Sequence, residues 1–168
     1  MGADRLGERS RESTKVRGTL HSINVSNGGV PKLPRRAAAV RAGGVEGDRQ
    51  RDLRYHGGPE RAVSLYSIEL IRALQAQGHP VEAGSLGENF TLAGVAWQRM
   101  APGASLIVGD VVLELTAYAA PCSNLLRYFR DRRFVRVSQK AHPGWSRLYA
   151  RVAREGTVTV GDAVLLVI

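Results

Sequence analysis

The segment Gly103-Ala-Ser-Leu-Ile-Val-Gly109-Asp110-Val-Val-Leu-Glu-Leu115 is echoed near the end of the chain by Gly156-Thr-Val-Thr-Val-Gly161-Asp162-Ala-Val-Leu-Leu-Val167, with one residue fewer between the glycines. Each copy reads as strand, Gly-Asp turn, strand. Val111, Leu113 and Leu115 alternate with Val112, Glu114 and Thr116, the period-two pattern of a strand with a buried face. Two such hairpins commit the chain to antiparallel pairing, and closure is the usual way for short strands to avoid exposed edges. The expected fold class is mixed and β-dominated: a largely antiparallel β-barrel with a few short helices.

Other segments fit this frame. Val16 to Ser26 alternates loosely as a first strand and is broken by Asn27-Gly28-Gly29, a strong turn signal. Ala37 to Ala42 and Ala62 to Tyr66 read as further strands. Ser67 is placed to cap a helix that runs to about Gln77 and ends at Gly78, with Ile68, Ile71 and Leu74 on its apolar face. His79, just past that helix, reads as a solvated cap residue. In the strand Trp145 to Ala153, Leu148, Ala150 and Val152 face one way, and Arg147, Tyr149 and Arg151 the other. That second face either lines a cleft or meets water.

A chain of 168 residues suits one domain, expected over residues 16–168, with the charged residues 1–15 as a disordered tail. No apolar run approaches the length of a membrane span. One cysteine forbids an internal disulfide and, with no secretory segment at the start, points to a cytoplasmic protein. The net charge is +9, and all the cations but Lys15, Lys32 and Lys140 are arginines. Such a balance suits phosphate groups or another anionic partner, and equally follows from arginine-biased composition.

The single thiol, Cys122, follows a strand that Pro121 stops. Ser123-Asn124 offers capping side chains ahead of the apolar set Leu125, Leu126, Tyr128 and Phe129, which places the thiol at a helix start. The helix dipole and Arg127 would there favour the thiolate, the form that attacks electrophiles and ligates soft metals. The alternative is a small buried hydrophobe. Lys32 sits on a segment stiffened by Pro31 and Pro34. The span Val45 to Arg61 is polar and glycine-rich, too long to be a mere connection. Within it His56 precedes Gly57-Gly58, where a ligand could approach the backbone, and Asp48, Asp52 and Arg61 could orient the imidazole or pair with phosphate. Glu88 and Asn89 end a second glycine loop, Gly84 to Leu92, as donors and acceptors for a heteroaromatic edge or for the loop's own backbone. Walker, Rossmann, zinc and nucleophile-elbow motifs are absent.

Together, Gly29-Val30-Pro31-Lys32, Gly47-Asp48-Arg49, Tyr55-His56-Gly57-Gly58 with Arg61-Ala62-Val63, Gly87-Glu88-Asn89-Phe90, Gly109-Asp110, Pro121-Cys122 and Tyr149-Ala150-Arg151-Val152 resemble the MOSC domain, the C-terminal domain of molybdenum cofactor sulfurases, in its stand-alone bacterial form. The resemblance runs from about Leu20 to the end and leaves residues 127–144 unmatched. It implies a barrel fold and a bound molybdenum cofactor (molybdopterin), with Cys122 as metal ligand and as catalytic residue beside His56. It further implies that Lys32, Asp52, Arg61, Glu88 and Asn89 bind the cofactor's phosphate and pterin edge. The implied activity is an oxidoreductase acting on N-hydroxylated small molecules, served by an electron-transfer partner protein. A second reading makes Cys122 a persulfide-bearing sulfur carrier supplied by a desulfurase. A third, a basic nucleic-acid-binding module, is disfavoured by an aromatic content of 6%, which leaves few stacking platforms.

Overall fold

The computed structural model describes residues 16–49 and 57–167. Its strands are β1 (Val16–Val25), β2 (Leu33–Arg35), β3 (Ala37–Arg41), β4 (Gly44–Val45), β5 (Val63–Ser67), β6 (Phe90–Ala93), β7 (Ser105–Val108), β8 (Val111–Ala119), β9 (Arg147–Arg154), β10 (Gly156–Thr159) and β11 (Ala163–Val167), with one α-helix, α1 (Ile68–Ala76), after β5. Seven strands close into a barrel in the order β1, β11, β7, β8, β9, β5, β6 and back to β1. All the pairings are antiparallel except β5 with β6. The β-dominated barrel expected from the sequence is the fold observed.

Closure follows from the alternation in the strands. Leu20, Ile23, Leu65, Phe90, Leu92, Leu106, Leu113 and Leu148 all point into one core and are essentially sealed from solvent. Each such burial contributes roughly 1.5–3 kcal/mol. Register breaks between Leu20 and Ser22 on β1, and between Leu115 and Ala117 on β8, are bulges that sharpen the twist a small barrel needs. The parallel β5–β6 pair requires a crossover connection, and α1 forms part of it. Ser67 Oγ accepts from Leu70 N at 3.2 Å to cap the helix, whose Ile68, Ile71 and Leu74 are buried.

Three sequence expectations need correction. His79 is buried rather than solvated, and its Nδ1 accepts from Arg130 N at 3.1 Å. The other two concern the path of the chain. The β7–β8 hairpin turns at Gly109-Asp110 as expected, but its echo is not a hairpin. β10 pairs with β3 in a separate three-stranded sheet with β4, while β11 joins the barrel between β7 and β1. Three residues, not two, separate β10 from β11. Val160 N still donates to Arg36 O at 3.0 Å, and Gly161 N and Asp162 O then bond Leu20 on β1, so the chain rounds a corner from one sheet to the other. The two Gly-Asp turns meet there. A Cβ on Gly109 would lie 2.4 Å from Asp162 Oδ2.

The third correction lies after Cys122. The run Ser123–Tyr128 is a 3-10 helix without a side-chain cap, not an α-helix. Leu125 and Phe129 are its buried anchors, and backbone turns extended again at Phe129. A single apolar step of four residues holds a short turn but does not propagate a longer helix. Residues 129–144 continue irregularly, with one more 3-10 turn, Phe134–Val137. No helix among the described residues is long and apolar enough to cross a membrane.

Candidate functional site

A cavity of about 400 Å³ opens beside the barrel where the Gly28–Gly29 turn after β1, Ser64 of β5, the Leu86–Gly87 loop before β6, the Cys122 segment and Arg147 and Tyr149 of β9 converge. That volume falls in the range of small-molecule sites. Lys32, Arg49, Arg127 and Arg147 supply four cations to its wall. The half-buried thiol of Cys122 also lines it.

Lys32 is held in place. Its Nζ lies 2.5 Å from Asp48 Oδ2, and both side chains are more than nine-tenths buried. Asp48 also accepts from Ser26 N at 2.9 Å and from Asn89 Nδ2 at 2.9 Å, so one carboxylate joins the end of β1, the proline-bracketed lysine and the second glycine loop. Asn89 is fully buried and completes the hub: its Oδ1 accepts from Ser64 N at 3.1 Å, and its Nδ2 also reaches Asn24 O at 3.2 Å. Glu88 is sealed too. Its Oε1 accepts from Gly84 N at 2.6 Å and Thr91 Oγ1 at 3.0 Å, while Oε2 has no partner among the described residues. Burial pushes the Glu88 carboxyl above the usual carboxylate range, against the pull of these hydrogen bonds and of Arg147, which keeps it inclined to hold its proton.

Arg147 is the group that most resembles a waiting receptor. It is buried, and its Nη1 donates to Leu86 O at 2.7 Å. Among the described residues its Nε is buried without a partner, a state that normally calls for an acceptor. Two positions along, Tyr149 faces the same cavity, with the Arg61 guanidinium 5.7 Å from its ring centre. Burial raises the Tyr149 hydroxyl above its ordinary value; the Arg147 and Arg61 cations oppose the rise, and nearby Cys122 adds to it. Tyr149 therefore stays a neutral donor. Arg127 bonds Val30 O and the Tyr128 hydroxyl, both at 2.7 Å.

Lys32 and Cys122, two of the residues singled out in the sequence, thus share the cavity. Arg61 stands behind Tyr149, and Glu88 and Asn89 lie behind the wall that Ser64 and Gly87 form, where they fix loop backbone rather than line the space. His56 and Asp52 lie outside the described residues. Sequence reasoning did not single out Arg147, Tyr149, Arg49 or Ser64 as site residues, although the alternation of the β9 segment had already placed Arg147 and Tyr149 on one face.

The sequence profile of the MOSC domain matches residues 52–165. The chain belongs to the MOSC domain family. Among its relatives, this MOSC domain is 30% identical to the uncharacterized protein YflK of Bacillus subtilis over 135 residues, covering 79% of the chain and 60% of YflK. It is 28% identical to YiiM of Escherichia coli over 115 residues, covering 66% of the chain and 50% of YiiM. The chain thus spans little more than half the length of these curated relatives. The crystal structure of YiiM from Geobacillus stearothermophilus superimposes with a TM-score of 0.69 at 26% identity, covering 90% of the chain and 75% of that structure. The YUAD protein of Bacillus subtilis, at 16% identity, gives 0.72 over 90% and 96%; it shares the fold.

Proposed function

We propose that this MOSC domain binds the molybdenum cofactor in the cavity beside Cys122 and serves as a reductase of N-hydroxylated small molecules. The family's association with that cofactor sets the class. The observation that carries the reading is the meeting, in one cavity, of the chain's sole thiol and four cationic side chains, Lys32, Arg49, Arg127 and Arg147. The donor set fits the group: a thiolate suits a soft metal, and guanidinium forks suit a phosphate. When bound, the cofactor supplies a metal centre that passes two electrons to an N–O bond.

The chain's residues do the rest. Cys122 would ligate the metal. Arg147, with Arg49, Arg127 and Lys32, would hold the phosphate, and Arg61 would act through the Tyr149 ring it covers. Asp48 neutralises Lys32 and orients it, and Asn89 and Glu88 fix the loops that form the wall. Tyr149 holds its proton at the hydroxyl and presents it to the cavity. Cleavage of a hydroxylamine to an amine and water takes up two electrons and two protons, the electrons coming from a reduced carrier protein.

The test is molybdenum content after purification from a cofactor-competent host. Wild-type protein is expected to carry near-stoichiometric metal. Cys122→Ser should lose it by at least about tenfold, about 1.4 kcal/mol or more of binding free energy, with unchanged circular dichroism and melting temperature. Folded wild-type protein without molybdenum, or full retention in Cys122→Ser, refutes the assignment.

A further inference from the structure

Residues 127–140, which matched no motif in the sequence, carry Arg127, Arg130, Arg132, Arg133, Arg136 and Lys140 against one carboxylate, Asp131, a net charge of +5. All the cations except Arg136 are exposed, and among the described residues none forms an ion pair. Asp131 Oδ1 instead accepts from Arg133 N at 2.9 Å. Surface cations usually sit beside carboxylates that damp their field, and here that damping is missing.

The patch is fixed in place. Leu125, Phe129 and Val137 anchor its two 3-10 turns in the core. Arg136 lies over the Trp145 ring, 3.7 Å from its centre, and its Nε donates to Gln77 Oε1 at 3.2 Å. Arg127 lies over Tyr128 at 4.9 Å. Both rings are thus already covered by guanidinium groups. At the middle of the patch Val135 is 48% exposed, one of four large hydrophobes left open on the described surface. Arg127 belongs to the patch and also to the cavity wall, so the charged surface borders the entrance to the site.

We infer that this surface docks an acidic electron-carrier protein, the source of the electrons that a reductase at this cavity consumes; the inference rests on that reading of the site. An open apolar residue within a cationic rim is the layout of a protein interface. Nucleic acid would call for open aromatic faces on which bases stack, whereas Tyr128 and Trp145 each already carry a guanidinium and Phe134 packs against the core. Unscreened cations at the rim steer an acidic partner toward the entrance and act chiefly on the rate of encounter.

The experiment titrates the full chain, purified from a cofactor-competent host, with an acidic flavodoxin, an acidic iron–sulfur ferredoxin and oligothymidylate, each at about 20 and about 200 mM salt, across which the Debye length shrinks roughly threefold. Wild type should bind at least one carrier, more weakly at the higher salt. Arg132→Glu/Arg133→Glu should weaken that binding about tenfold or more, and Val135→Asp several-fold. Arg41→Glu, a single charge reversal on β3 outside the patch, should leave it nearly unchanged, and molybdenum content should stay at the wild-type level in all three. Failure of both carriers to bind, equal losses from Arg41→Glu, or tighter binding of oligothymidylate that Val135→Asp does not disturb overturns the proposal. Carrier binding by protein that holds no molybdenum would uphold the docking surface while the cofactor assignment fell. Loaded protein whose carrier affinity ignores the patch variants would give the reverse.

Discussion

Asp48 is the residue whose loss the structure prices most sharply. Replacing it by asparagine leaves Lys32, 8% exposed, without its counter-charge, and leaves one side-chain oxygen where two now accept from Ser26 N and Asn89 Nδ2. Removing one member of a buried ion pair typically destabilises by about 3–5 kcal/mol. The two further hydrogen bonds overlap with that figure, because an asparagine oxygen can keep one of them. The expected loss for Asp48→Asn is therefore about 3–4 kcal/mol, a fall in melting temperature on the order of 10 °C for a domain of this size. Lys32→Met leaves Asp48 with two donors and should cost less, about 1–3 kcal/mol. The double variant should then be less destabilised than the sum of the singles by about 2 kcal/mol. Urea melts of the four proteins measure this directly. A loss under about 1 kcal/mol for Asp48→Asn, with additive singles, would refute the claim that the pair is buried and mutually dependent.

Glu88→Gln tests the buried acid. The carboxyl ionises near pH 4.3 in an unfolded chain, about the value for free glutamate, but higher in the fold. Its contribution to stability is therefore complete at low pH and is lost as pH rises through the folded value. The glutamine variant should gain on wild type as pH rises from the unfolded value toward the higher folded one, and parallel stability curves would contradict the direction of the shift. Gly84 has φ of 86° and no room for a side chain, since a Cβ would sit 2.2 Å from Lys32 O; Gly84→Ala should lose roughly 3 kcal/mol or more. Gly47 has φ of 88° but nothing within 4 Å, so Gly47→Ala should lose only the roughly 1–2 kcal/mol of left-handed backbone. Equal losses in denaturant melts would place the strain elsewhere.

The features legible in the sequence are those set by local rules. Alternation in β1, β8 and β9, the Ser67 cap and the Gly109-Asp110 reversal each depend on residues within a few positions, and all appear where the pattern puts them. What the pattern did not give depends on distant partners. Whether Gly161-Asp162 makes a hairpin or a corner is decided by Arg36 and Leu20, which bond that turn from far along the chain. The Cys122 segment stops as a 3-10 turn because its anchors are core residues rather than its own helical face. Glu88 and Asn89 look in sequence like ligands for a ring edge, yet their bonds to Gly84, Thr91, Ser64 and Asp48 set them behind the cavity. Arg147 and Tyr149 were visible as one face of a strand, but only the packing of Leu86 and Gly87 against that face makes it a wall rather than open surface.

A ring of seven cannot alternate perfectly: going round it, two neighbours must run the same way. Here the fault falls between β5 and β6, and the chain must leave the ring and return from the far end to make it. That detour carries Leu86 and Gly87 back past Arg147. An even-numbered ring would need no such excursion and would have no spare loop to fold over its wall, so the parity of the barrel is what makes room for the hollow beside it.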